Sequence, residues 1–146
     1  MRPVGKVAAI YQSVKKGQRI HLDQPAQFIE GFGLEGDSHG GRDKRQVCLI
    51  GRDSKKRLAE MNGVGLCTDR FNENITTTDI KLFKLPLGSR VKIGETLQEI
   101  TQIGKKCFGC EIADQDGKCI LTNEVVFTAV IEGGYIKEGD PITVIE

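Results

Sequence analysis

The sequence predicts a mainly β domain, a barrel or a sandwich with one or two short helices. Three observations carry this. About eight short apolar runs of strand length follow one another along the chain. Glycine, 18 of 146 residues, recurs between those runs as turn punctuation. Only one segment has a helix pattern, and no alternating βα rhythm is present. No internal repeat, low-complexity tract or composition break divides the chain, so residues 1–146 read as one domain.

The elements follow in order. Residues 6–13 (KVAAIYQS) read as a strand, and 14–19 carry the turn-like KKGQ. Residues 27–29 form a short strand entering a glycine-rich loop, 31–41. Residues 46–50 (QVCLI) are an apolar run of strand length. The helix comes next. Asp53 or Ser54 is placed to cap it, because a side-chain oxygen there accepts a free backbone N–H. Ile50, Leu58 and Met61 share one face, Gly63 closes the end, and Lys55, Lys56 and Arg57 face solvent. Residues 74–78 (NITTT) are rich in β-branched side chains, Pro86 and Gly88 mark a turn, and 90–93 form a strand. Gly94-Glu95 links it to the alternating strand 96–101. Residues 125–131 (VVFTAVI) read as a further strand, with a short helix as the alternative because apolar runs of this length fit both. Gly133-Gly134 turns the chain, and Gly139-Asp140 leads into the last strand, 142–145.

Composition excludes several classes. Hydrophobic residues at 38% and charged residues at 28% suit an ordered soluble chain. Trp is absent and the net charge is +1, so neither stacking platforms nor a global field for nucleic acid or anionic membrane is expected. The N-terminal apolar run is too short for a signal peptide, and no segment approaches the roughly 20 apolar residues of a membrane span. A cytoplasmic location is the expectation. In that reducing compartment the five cysteines stay thiols, for packing, metal binding or reaction.

The chemistry concentrates in residues 102–119, QIGKKCFGCEIADQDGKC. Lys105 and Lys106 precede Cys107, and neighbouring cations favour the reactive thiolate. The competing reading makes Cys107 a small hydrophobe at a strand end. Cys107, Cys110 and Cys119 place three sulfurs within thirteen positions. One mechanism is sulfur transfer, with Cys107 attacking and Cys110 or Cys119 resolving. The other is zinc, which needs Cys119 plus His39 or an open position, since no second C-x-x-C exists. A second constellation is residues 33–45, GLEGDSHGGRDKR. In extended chain Asp37 and His39 share a face, so the carboxylate orients the imidazole. Gly36, Gly40 and Gly41 permit close backbone approach to a ligand, while Arg42, Lys44 and Arg45 suit a phosphate or carboxylate. The alternative is a surface turn with solvated charges. In residues 70–78, Arg70, Asn72, Glu73 and Asn74 line a pocket or form a turn before a strand.

With these segments the chain resembles the MOSC family, named for the C-terminal domain of molybdenum-cofactor sulfurase. The likeness runs through GLEGDSHGGRDKRQVCLI, RFNENITTT, LPLGSRVKIGETLQEITQIGKKC, the Cys119 segment and GGYIKEGDPITVI. It is nearest to the small stand-alone bacterial members. The gap from Cys107 to Cys110 is one residue shorter than the family commonly shows, and the glycine common near Val125 is missing. The resemblance implies a β-barrel and a sulfur-carrier role. A cysteine takes sulfane sulfur from a pyridoxal-phosphate-dependent cysteine desulfurase and holds it as a persulfide for a metal–sulfur acceptor in molybdenum-cofactor biosynthesis or a molybdoenzyme. In larger relatives the domain binds molybdenum cofactor with that cysteine on the metal. The matching residue is Cys107. Asp37 and His39 match the family's loop pair, and Glu73 and Asn74 its Glu-Asn. Arg42, Arg45 and Arg70 would complete an anion-accepting pocket.

Overall fold

A computed structural model describes residues 4–15, 18–37, 40–41, 46–60, 73–104 and 124–145. Eleven strands and one α-helix lie among them. In chain order these are β1 (Gly5–Lys15), β2 (Gln18–His21), β3 (Ala26–Ile29), β4 (Gly33–Leu34) and β5 (Val47–Gly51). Then follow α1 (Arg52–Glu60), β6 (Ile75–Thr78), β7 (Arg90–Ile93), β8 (Thr96–Ile103), β9 (Val126–Glu132), β10 (Gly134–Ile136) and β11 (Pro141–Ile145). The order β11-β7-β8-β9-β5-β6-β1 closes through a β11–β1 pairing, so seven strands make a barrel. The mainly β, barrel-type expectation therefore holds. Closure leaves no free edge in this ring.

Alternation along each strand builds the interior. Ile10, Val47, Leu49, Ile75, Val91 and Ile142 are at most 1% exposed and meet in one core. Burying each such side chain contributes about 1.5–3 kcal/mol. A polar ladder crosses this interior. Gln98 Nε2 donates to Thr96 Oγ1 at 3.0 Å, and Thr96 Oγ1 donates to Ile93 O at 2.8 Å. Thr128 Oγ1 donates to Gln98 Oε1, so three fully buried polar residues satisfy one another.

Three strands escape sequence reading. In β2, Ile20 is the single large apolar residue and is 48% exposed, so no alternation announces it. Main-chain pairing to β1 makes it a strand. The short β4 and β10 contain turn-type glycines but flank β3 in a separate three-stranded sheet. Gly33, at φ +112°, joins β4 through its pairing with Ile29, and glycine is required there because a Cβ would collide with the Gln46 carbonyl.

The helix also departs from expectation. It begins directly after β5, so Ile50 lies on a strand and not on the helix face. Asp53 and Ser54 both lie inside α1, and neither caps it; Ser54 Oγ donates instead to Glu124. Met61 and Gly63 lie outside the described residues. β5 and β6 run parallel, the one parallel pairing among the described strands, with α1 in the connection between them. α1 packs on the outer face of both strands. As a result Ile50, turned away from the core residues Val47 and Leu49, is still only 1% exposed.

Candidate functional site

The outer face of the barrel, at the start of β6, carries a polar cluster built from Asp37, Glu73 and Asn74. Asn74 immediately precedes the core residue Ile75 and so turns to the opposite face. Its backbone ties two neighbouring strands, with Asn74 N donating to Cys48 O at 2.8 Å and Tyr11 N donating to Asn74 O at 2.7 Å. Its amide completes the link. Nδ2 donates to Tyr11 O at 3.2 Å and to Asp37 Oδ1 at 3.0 Å, while Oδ1 accepts from Cys48 N at 3.0 Å. Both amide protons are thus committed to the protein.

Asp37 does not run extended. Its N–H donates to Leu34 O, and Gly40 N donates to Asp37 O, so the chain turns there. The carboxylate points inward, 5% exposed, and Oδ1 accepts from Ser13 N at 2.6 Å as well as from Asn74. The loop glycines serve this chain's own side chains. A Cβ at Gly36 would meet Gln12 Nε2, and one at Gly40 would meet the Phe32 ring.

Glu73 has a separate partner set. Its side chain is 1% exposed, and Oε2 receives Thr76 Oγ1 at 2.9 Å and Lys55 Nζ at 2.8 Å. Lys55 Nζ also lies 4.6 Å from the centre of the Tyr11 ring and donates to its hydroxyl at 3.3 Å. The Tyr11 ring stacks at a tilt on His21, 5.4 Å away, and His21 pairs with Glu138. Ser13, Tyr11 and Lys55 had no sequence signal of this kind. Lys55 sits in a Lys-Lys-Arg run that looks like a solvated helix face, and its pairing is decided by where α1 packs.

Asp37, Glu73 and Asn74 are therefore brought together. Cys107, Lys105, Lys106, Cys110, Cys119, His39, Arg42, Arg45 and Arg70 lie outside the described residues. Among the described residues, no group of three His, Cys, Asp or Glu side chains could hold a metal. No described helix is long and apolar enough to cross a membrane. Cys48 is a buried thiol, not in a disulfide, in register with Phe127 on β9.

The two ends of the cysteine-bearing stretch are anchored to each other and to α1. Gly104 N donates to Val125 O at 2.6 Å. Glu124 takes hydrogen bonds from Ser54 and from both Arg57 Nη atoms. Burial pushes the Glu124 carboxyl up, but the Arg57 and Ser54 hydrogen bonds and the charges of Arg57 and Lys81 outweigh it. The group titrates below its usual value. A folded value below the unfolded one means that Glu124 stabilises the fold above the ordinary glutamate range and loses this as pH falls through the lowered value. Arg57 is half exposed, at 52%, so the contribution is screened to about 0.5–1 kcal/mol. Glu124→Gln should lower the urea midpoint at neutral pH, and the gap to wild type should close on acidification. A gap that persists unchanged in acid would show that the carboxylate charge is not what anchors this end.

The comparisons with known proteins agree with this fold. Three solved structures align with nearly the whole chain. YiiM from Escherichia coli has a TM-score of 0.66 at 18% identity, covering 97% of this chain and 70% of that one. The YuaD protein from Bacillus subtilis has 0.69 at 17%, covering 98% and 97%. YiiM from Geobacillus stearothermophilus has 0.59 at 16%, covering 99% and 75%. At such identities the likeness establishes the fold alone. No match is found among curated proteins. The sequence profile of the MOSC domain matches residues 36–143, from the loop before Asp37 to the last strand, and the chain belongs to the MOSC domain family.

Proposed function

We propose that the protein is a cysteine-based sulfur carrier linked to molybdenum-cofactor or other metal–sulfur metabolism, with the persulfide on Cys107. The family is commonly linked to molybdenum-cofactor-related functions. The observation that carries the reading is one continuous row on the outer face. Asn74 bonds Cys48, Cys48 pairs with Phe127, and Phe127 pairs with Gln102, five residues before Cys107. Three interstrand steps separate Asn74 from Gln102, about 14 Å at the usual strand spacing. Ile103 and Gly104 stay paired with Val126 and Val125, so the stretch that carries Cys107 departs from β8 two residues beyond this row.

The step itself is thiol exchange. The Cys107 thiolate attacks the outer sulfur of a donor persulfide. The donor S–S bond breaks, the donor cysteine leaves as a thiolate, and Cys107 holds the sulfane sulfur, with no net oxidation. Lys105 and Lys106 favour the attacking thiolate. A cysteine desulfurase is the donor, and a molybdenum-cofactor or molybdoenzyme centre is the acceptor.

The described residues fit a supporting role around a molybdenum cofactor and not direct contact with it. Asn74 has both amide protons committed, and Asp37 Oδ1 already accepts two hydrogen bonds. Cys107, His39, Arg42, Arg45 and Arg70 would hold the group. Incubation with a cysteine desulfurase, cysteine and pyridoxal phosphate should add the mass of one sulfur atom per chain, reversed by reductant. Cys107→Ser should take up none, while Cys110→Ser and Cys119→Ser still load. Equal uptake by Cys107→Ser would end this reading.

A further inference from the structure

The carboxyl ends of the parallel pair β5 and β6, opposite the end that carries Asn74, open into a cleft of about 910 Å³. This is within the size range of small-molecule sites, roughly 300–1,000 Å³. We propose that the cleft binds a small organic anion, an acid group carried on an apolar body. The floor is apolar, made by Leu49, Ile50, Leu82 and Val126, none more than 4% exposed.

Three features give the cleft its selectivity. Thr77 lines it and is itself only 1% exposed, yet its hydroxyl makes no hydrogen bond to another described residue. Since no fully buried side-chain polar atom among the described residues lacks a partner, this hydroxyl opens onto the cleft as a donor. Gly51 leaves room beside it. A Cβ added there would find Ser54 Oγ and Thr77 Oγ1 no closer than 3.9 Å. The rim is cationic on balance. Glu124 is taken by Arg57 and Ser54. The side chains of Arg52, Lys56 and Lys81 have no ion-pair partner among the described residues, against two acids, Asp53 and Asp79. An acid group therefore finds a hydroxyl donor and exposed cations, and its body finds an apolar floor. Asp79, the one described non-glycine residue at positive φ (63°), shapes the wall opposite α1.

This inference does not rest on the sulfur-carrier reading, because no cysteine takes part. Titrating the full chain with anilinonaphthalene sulfonate should give saturable fluorescence enhancement at one site. Arg52→Glu combined with Lys81→Glu should weaken it about tenfold or more, the size expected for losing charge-assisted contacts. Both residues are exposed, so the fold should survive the change, with at most a small loss of melting temperature from the charge reversal near Glu124. Gly51→Leu should fill the cleft and abolish binding, and Lys92→Glu, on β7, should leave it intact. If Gly51→Leu fails to fold, the charge pair decides alone. Absence of saturable binding, or equal binding by the charge-reversed variant, overturns the proposal.

Discussion

Asn74→Asp should destabilise the protein by about 3–5 kcal/mol at neutral pH, the largest effect expected of any single near-isosteric change here. The new carboxylate would stand 3.0 Å from Asp37 Oδ1, where an amide proton now lies. The Tyr11 carbonyl would also lose its donor. Two buried carboxylates raise each other's folded-state pKa. Stability is then lost as pH rises through the raised value and regained on acidification, opposite in sign to the behaviour of Glu124 in the wild type. Asn74→Ala should cost about 2–4 kcal/mol, with no such pH dependence. Urea unfolding across pH separates the two variants. A wild-type midpoint for Asn74→Asp at neutral pH would mean that this cluster does not hold β1, β5 and the Asp37 loop together.

Lys55→Met should cost about 2–3 kcal/mol, because it removes the Lys55 charge from the Glu73 carboxylate in a site where that side chain is 1% exposed. Breaking a fully buried pair costs about 3–5 kcal/mol, but Lys55 is 33% exposed and water screens part of the loss. The cation–π contact with Tyr11, about 0.5–1 kcal/mol, disappears as well. Lys55→Met combined with Glu73→Gln should recover most of the difference, since no buried charge remains to be balanced. The double-mutant cycle measures the coupling directly. Strict additivity of the two changes would refute the pairing.

The same residues show how far the sequence could be read. Strands with alternating or β-branched runs, such as β7, β8 and β6, were legible within a residue or two, because their pattern is the cause of their burial. β2 was not, since Ile20 is exposed and the segment is a strand through main-chain pairing with β1. The parallel β5–β6 pairing was also invisible, because strand direction depends on how the connection through α1 packs. Asp37, Glu73 and Asn74 were legible as a set only through the family resemblance. Their local chemistry is equally that of a turn.

Periodicity and glycine spacing were sufficient for a mainly β domain, because one buried face per strand dictates alternation and turns dictate glycine. The resemblance further named the family and the cysteine to test. Tertiary structure alone decided the partners: Asp37 with Ser13 and Asn74, Glu73 with Lys55, Glu124 with Ser54 and Arg57. Those contacts join residues 24 to 70 positions apart, except for the short reach from Lys55 to Glu73. The physical reason is that a hydrogen bond or ion pair depends on distance and burial after the barrel closes. A linear sequence carries no periodic signal for either.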